Sequence, residues 1–274
     1  MIELFLIACG SPPPSTGQLE VLTYNIHGLP PEITGDDTQA RVQEIAGLLG
    51  PFDVVGLQED FIDENHVFIE SASEHQTHLR FSEPLDNRAY GSGLSVLADY
   101  ALLELEEEYY TDCFGVLENA SDCLASKGFQ VATISLGDNA AVDIYNTHLE
   151  AGGSAEDNAA RATQVDQLIS SLNGHSKDRA VLFLGDTNLH ATLEEDALLL
   201  SALESSGGLS DSCALVDCNE PNHIDRILIR NGALLSLSVE AWQVEEAFYD
   251  SDGVPLSDHP AISATIGWDS GSGR

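Results

Sequence analysis

Positive charge is what this sequence has least of. Its 274 residues include 10 lysines and arginines against 46 acidic residues, a formal charge of −36. The two lysines are Lys127 and Lys177. A surface this acidic repels polyanions, so it lacks the basic footprint by which nucleic-acid-binding proteins attract their ligand. An anionic substrate would need a metal ion or a local arginine cluster to approach. The same acidity also serves solubility or tolerance of high salt. No apolar run is long enough to cross a membrane. No internal repeat is present, which removes solenoids and propellers. Cysteine is sparse, five in all, and no pair has the C-x-x-C spacing of a zinc site.

Four of the cysteines fall into two close pairs, Cys113 with Cys123 and Cys213 with Cys218. In an exported chain such a set predicts two disulfides, although four cysteines allow three connectivities. The fifth, Cys9, closes L-I-A-C, which resembles the lipobox of bacterial lipoproteins, and a Ser/Pro-rich stretch follows. No Lys or Arg precedes the short apolar run, unlike the usual signal. Residues 1–9 are therefore expected to be a lipoprotein signal and 10–18 a tether. Residues 19–268 are expected to form one domain, and 269–274 a Gly/Ser-rich tail without fixed structure. These expectations imply an exported monomer, either lipid-anchored through Cys9 to a membrane surface or extracellular.

The rest of the chain is organised around Ala180 to His190 (A-V-L-F-L-G-D-T-N-L-H). The apolar run through Leu184 predicts a buried strand, and Asp186 and Asn188 follow its end. Open α/β sheets carry ligand groups at such ends. Other short strands end similarly: Leu19 to Asn25 in Asn25, Val54 to Glu59 in Glu59, and Ala141 to His148 in His148. Near the C-terminus, Ser257-Asp258-His259-Pro260 precedes a last apolar stretch, Ala261 to Ile266. Helices are predicted over Thr38 to Leu49, Ala155 to Leu172 and Leu193 to Leu203 from their apolar spacing. Trp242 to Tyr249 is expected to flank the site's mouth. Carboxylate, carboxamide and imidazole at successive strand ends suit a hard-metal hydrolase: oxygens for Mg²⁺ or Ca²⁺, histidines for proton transfer.

The ordered set Y-N, Q-E, T-H-L, G-D-T-N and S-D-H-P resembles the endonuclease/exonuclease/phosphatase superfamily. That family includes deoxyribonucleases, apurinic-site endonucleases, inositol-phosphate phosphatases and bacterial sphingomyelinases. The resemblance implies an α/β fold, a four-layer sandwich of two mixed sheets packed face to face with helices outside. It implies Asn25, Glu59 and Asp258 around a metal ion, Mg²⁺ or else Ca²⁺ or Mn²⁺. It implies catalytic roles for His148, Asp186, Asn188, Asp225, Asp258 and His259, with Asp225 orienting His259 as general base. Asp122 to Phe129 (D-C-L-A-S-K-G-F) and T-H-L-E-A after Asn146 are similar to sphingomyelinase runs. The deoxyribonuclease branch has an Arg two residues after the metal-binding Glu, where this chain has Phe61. That branch also has a Glu pairing with the first catalytic His, where this chain has Ser92. The expected activity is hydrolysis of a phosphodiester, a phospholipid headgroup or a small diester. An exported nuclease is the alternative and nucleic acid the lesser partner. A phosphomonoesterase or a binding module without catalysis ranks below both.

Overall fold

The structure, a computed structural model, describes residues 15–115, 122–137, 140–220 and 222–271. The lipobox, with Cys9, lies outside them. In chain order the elements are β1 (Thr16–Asn25), α1 (Pro31–Thr34), α2 (Thr38–Ala46), β2 (Val54–Gln58), α3 (Asp63–Ala72), β3 (Thr77–Phe81) and β4 (Leu94–Ala98). Then come β5 (Leu102–Tyr109), a 3₁₀ turn (Asp122–Leu124), β6 (Gly128–Gly137), β7 (Ala140–His148), α4 (Ala155–Gly174), β8 (Ala180–Asp186) and α5 (Glu194–Ser205). The chain ends with β9 (Ser210–Asp211), α6 (Ser212–Leu215), β10 (Asp225–Arg230), β11 (Ser236–Val244) and β12 (Ile262–Asp269).

The strands form two six-stranded mixed sheets, ordered β11-β12-β1-β2-β4-β3 and β5-β6-β7-β8-β10-β9. Strand alternation makes the layers. Val21, Val54, Ile144, Leu182 and Ile227 meet between the sheets. Their neighbours Leu22, Val55 and Leu57 face α2 and α3, packing on Val42, Ile45 and Ile69. Tyr145, Phe183 and Leu228 face α4 and α5, against Val165, Leu168 and Leu203. Because both faces of the central strands are buried, they read as continuous apolar runs. The result is the expected four-layer sandwich.

Two polar side chains join the sheets beneath the site. Gln58 Nε2 donates to Asn146 Oδ1 at 2.7 Å, and Asn146 Nδ2 donates to the Leu57 and Ser95 carbonyls at 2.9 and 3.0 Å. Both disulfides are formed, Cys113–Cys123 and Cys213–Cys218, with Cα–Cα separations of 5.4 and 5.0 Å.

Some boundaries differ from expectation. Thr16, Gly17 and Gln18 pair with Asp269, Trp268 and Gly267, so β1 takes in the last residues assigned to the tether and β12 the first of the tail. The mouth segment is also corrected. Trp242 lies in β11 opposite Ala264, and Phe248 is buried against Tyr24, with ring centroids 4.9 Å apart. Aromatic bulk there serves the core, and Tyr249 is the one left exposed.

Candidate active site

The site forms where the ends of β1 and β2 in one sheet meet those of β7, β8 and β10 in the other. Register explains the grouping. Asn25 lies beside Gln58, which precedes Glu59. His148 and Asp225 both lie opposite Asp186, from its two neighbouring strands. Gly185, whose Cβ would come within 2.3 Å of the Thr147 carbonyl, permits the β7–β8 approach.

On the first sheet, Asn25 Nδ2 donates to Glu59 Oε1 at 2.9 Å and reaches across to Asp186 Oδ2 at 3.1 Å. Asn25 Oδ1 accepts the His27 N–H at 3.0 Å, which leaves it one lone pair. Glu59 Oε2 is buried and accepts no hydrogen bond. His27 Nδ1 stands 3.8 Å from that oxygen and 3.2 Å from Asp258 Oδ1. The backbone is strained on both sides: His27 and Glu59 here, and Asn188 past β8, adopt φ of 48°, 59° and 49°. Left-handed conformations of non-glycine residues cost about 1–3 kcal/mol each and persist where the surroundings enforce them. Gly28 helps to do so, since a Cβ there would meet the Glu59 carbonyl at 2.3 Å.

On the second sheet, Asp186 is central. His148 Nε2 lies 3.3 Å and His259 Nε2 3.7 Å from Asp186 Oδ2, while the Asn188 N–H donates to Oδ1 at 3.0 Å. His259 Nδ1 contacts both Asp225 oxygens, at 2.9 and 3.1 Å. Ser257 joins the halves: its hydroxyl donates to the Asn25 carbonyl at 2.7 Å and accepts the His259 N–H at 3.2 Å. Behind them, Lys127 Nζ and Asn188 Nδ2 donate to the same Leu149 carbonyl, at 2.6 and 3.2 Å.

Burial and charge set the protonation states. Burial, with the charges of Lys127 and His259, holds His148 well below the ordinary 6.5, so it is neutral at pH 7. Its Nδ1 is buried without a hydrogen-bond partner. Burial and the charge of Asp225 push Asp186 up to about 7. Burial alone would lower His259. The hydrogen bond and charge of Asp225, aided by Asp186 and Asp258, override it and push His259 up to about 10.

All eight expected residues are thus brought together, with Asp258 at the rim, its side chain 60% exposed. Sequence reasoning missed His27, Ser257 and Arg41. His27 carried a signal, an imidazole two residues past the strand-end Asn25, whereas Ser257 and Arg41 act by backbone contacts that no spacing reveals.

The profile of the Endonuclease/Exonuclease/phosphatase family matches residues 22–259, from β1 through His259. The chain belongs to that family. It is 29% identical over 278 residues to a sphingomyelinase of Mycobacterium tuberculosis, covering 92% of this chain and 54% of that protein. The chain therefore spans about half the length of that relative. Its fold is similar to magnesium-bound beta toxin of Staphylococcus aureus, at TM-score 0.68 and 17% identity, over 90% of this chain and 99% of that one. It is also similar to D. rerio TDP2 complexed with a single-strand DNA product, at TM-score 0.67 and 17% identity, over 91% and 98% of the chains. At such identities the structures attest the fold alone.

The donors at β1 and β2 fit a hard divalent cation. Glu59 Oε2 is a buried carboxylate oxygen without a hydrogen-bond partner, and Asn25 Oδ1 beside it retains a lone pair. A carboxylate oxygen buried without a partner is costly, and a cation would offset that cost.

Proposed function

We propose that the protein is an exported, divalent-metal-dependent phosphodiesterase that cleaves a phospholipid-headgroup diester or a small phosphodiester by water attack. The observation that carries this reading is the His259–Asp225 pair, its Nε2 facing Asp186, set beside a carboxylate with a buried free oxygen.

Glu59 and Asn25 would hold the ion, Mg²⁺ or else Ca²⁺ or Mn²⁺, with Asp258 at its edge. When bound it supplies charge stabilisation to a non-bridging phosphoryl oxygen. Asp225 holds His259 with Nδ1 protonated, leaving Nε2 to take the proton of an attacking water; as the new P–O bond forms, the P–O bond opposite it breaks, and the departing alkoxide takes a proton from solvent. Asp186 and Asn188, linked at 3.0 Å, orient that water and the phosphate. Neutral His148 directs Nε2–H toward Asp186 and the phosphoryl group, acting as a hydrogen-bond donor rather than a charge. The carboxylates that raise His259 keep it protonated at neutral pH in the metal-free protein, and a cation nearby would oppose them.

Support for a lipid-type diester over DNA comes from sequence and site together. The 29% relative is a sphingomyelinase. Phe61 lies against Tyr90, ring centroids 5.6 Å apart, where the deoxyribonuclease branch has an Arg. Ser92 is buried, and His148 Nδ1 lacks the carboxylate partner that branch supplies. The nuclease alternative draws on TDP2 similarity in fold, but the charge of −36 opposes it. Two disulfides support export, and Cys9 is the proposed lipid anchor of a monomer. The test is a panel with Mg²⁺, with Ca²⁺ and with chelator on sphingomyelin, other phospholipids, plasmid DNA and bis-p-nitrophenyl phosphate. Metal-dependent cleavage of a lipid or the small diester is expected. DNA cleavage as the dominant activity, or full activity in chelator, would overturn the reading.

A further inference from the structure

We propose that the free edge of β5 is a docking site for an extended, lysine- or arginine-rich segment of a partner protein. The segment would add a strand to the second sheet and seat an aliphatic side chain between Leu103 and Leu234. β5 is separated from β7 by β6, and the inference does not depend on the phosphodiester reading.

Backbone is the first argument. β5 is an outermost strand of its sheet, paired with β6 along one side only. Among the described residues, no backbone group from Leu103 to Glu108 has a hydrogen-bond partner outside that pairing. The open edge ends at Tyr109, whose carbonyl accepts from Gln167 Nε2 at 3.4 Å. Strand donors and acceptors left open in this way are a template for another chain.

Side chains identify the occupant. Leu103 and Leu234 are 60% and 70% exposed, and both lie on a cavity of about 420 Å³ that Ala141, Ala180 and Leu235 also line. Charges alone guard a strand edge against aggregation, and such a guard does not call for two exposed leucines over a hollow. Beside that hollow run Glu104, Glu106, Glu107 and Glu108, all exposed. Arg179 answers Glu104 at 3.0 Å but also faces Asp143 at 3.2 Å, so the strand keeps an excess of negative charge. Opposite charges across antiparallel strands stabilise the pairing and like charges oppose it. A basic segment is therefore favoured over a second copy of this chain. Self-pairing centred on Leu105 would set Glu104 against Glu106, and any register gathers the glutamates of both copies along one ribbon.

Position gives the consequence. Ala141 and Ala180 lie at the starts of β7 and β8, which end in His148 and Asp186. The leucine anchor thus sits at the end of the sheet away from the active site, and docking tethers the protein without blocking the site.

The test uses the full chain and a synthetic nine-residue peptide that alternates lysine and valine, with one leucine near its end. Binding is followed by calorimetry and by amide hydrogen exchange at physiological salt. One peptide is expected to bind per chain, slowing exchange at amides between Leu103 and Glu108. The same peptide N-methylated along its pairing edge keeps its charge and its leucine but cannot add a strand. It should bind about tenfold more weakly or worse. Glu106→Lys combined with Glu108→Lys should weaken the unmethylated peptide by about tenfold as well. Equal binding of the two peptides, unchanged binding to the double variant, protection outside β5 or no binding would overturn the proposal. So would a dimer in sedimentation whose β5 amides are already protected.

Discussion

The two halves of the site are finished differently. Around Asp186 the groups lean on each other: Asp225 pairs with His259, Asn25 donates to Asp186, and the two histidines stand 3.3 and 3.7 Å from it, with His148 Nδ1 left without a hydrogen-bond partner. The half at β1 and β2 is open. Glu59 keeps one buried oxygen unsatisfied, Asn25 keeps a lone pair, and His27 and Glu59 hold left-handed backbones. Paired imidazoles and carboxylates are placed to move protons, whereas a carboxylate oxygen buried without a partner favours a cation. On the proposed reading, proton transfer falls to the second sheet and ion binding to the first, with Asn25 and Ser257 bridging them.

If the division is right, its halves can be broken separately. Glu59→Gln should raise the metal concentration for half-maximal activity by about 10²-fold or more, because it removes the charge that offsets ion desolvation. His259→Gln should leave the metal affinity within a few-fold while lowering kcat. Calorimetric binding on both variants measures this, and equal losses of affinity would erase the division.

A finer probe is the charge passing between the halves. In metal-free protein, His259 titrates at about 10 because three carboxylates surround it. Saturating Mg²⁺ should lower that value by one unit or more, read by NMR titration of labelled imidazoles. An unchanged titration would place the ion away from His259.

The same shift predicts a pH dependence of stability. His259 is raised from 6.5 to about 10 on folding. Its protonation therefore stabilises the folded metal-free protein fully below about pH 6.5, and this contribution disappears as pH rises through about 10. The gap in urea midpoint between wild type and His259→Gln should narrow across that window. A gap that widens with pH would contradict the assigned direction.

The smallest expected effect on the site lies outside it. The disulfides close short loops, with sequence separations of 10 and 5 residues. Replacing either pair with serines should cost at most about 2–3 kcal/mol of stability and leave kcat nearly unchanged. A large fall in kcat with stability intact would extend the site to that disulfide.

The strand ends were readable in the sequence because β2 and β8 are buried on both faces and show as apolar runs with a polar residue at the tip, while β1 alternates apolar and polar residues up to Asn25. Asp225 was found through family resemblance, since R-I-L-I-R after it carries no alternation of its own. Edge strand β5 was hidden for a physical reason: L-L-E-L-E-E-E-Y is exposed along nearly its whole length, so it has neither period nor buried face. Arg41 reads as the polar side of an amphipathic helix, and only tertiary structure shows its guanidinium on three carbonyls. The Trp242 to Tyr249 stretch misled because aromatic content alone does not separate a rim from a core.

The central claim is that Asp225 and His259 act as one proton-transfer unit, their side chains 2.9 Å apart. Its most direct test is a double-mutant cycle on kcat for the phosphodiester that the substrate panel identifies, at saturating metal. His259→Ala and Asp225→Ala should each lower kcat by about 10²-fold or more. The double variant should be little worse than His259→Ala, because groups acting as a unit are non-additive. Losses that multiply, or near-normal kcat in Asp225→Ala, would contradict the account.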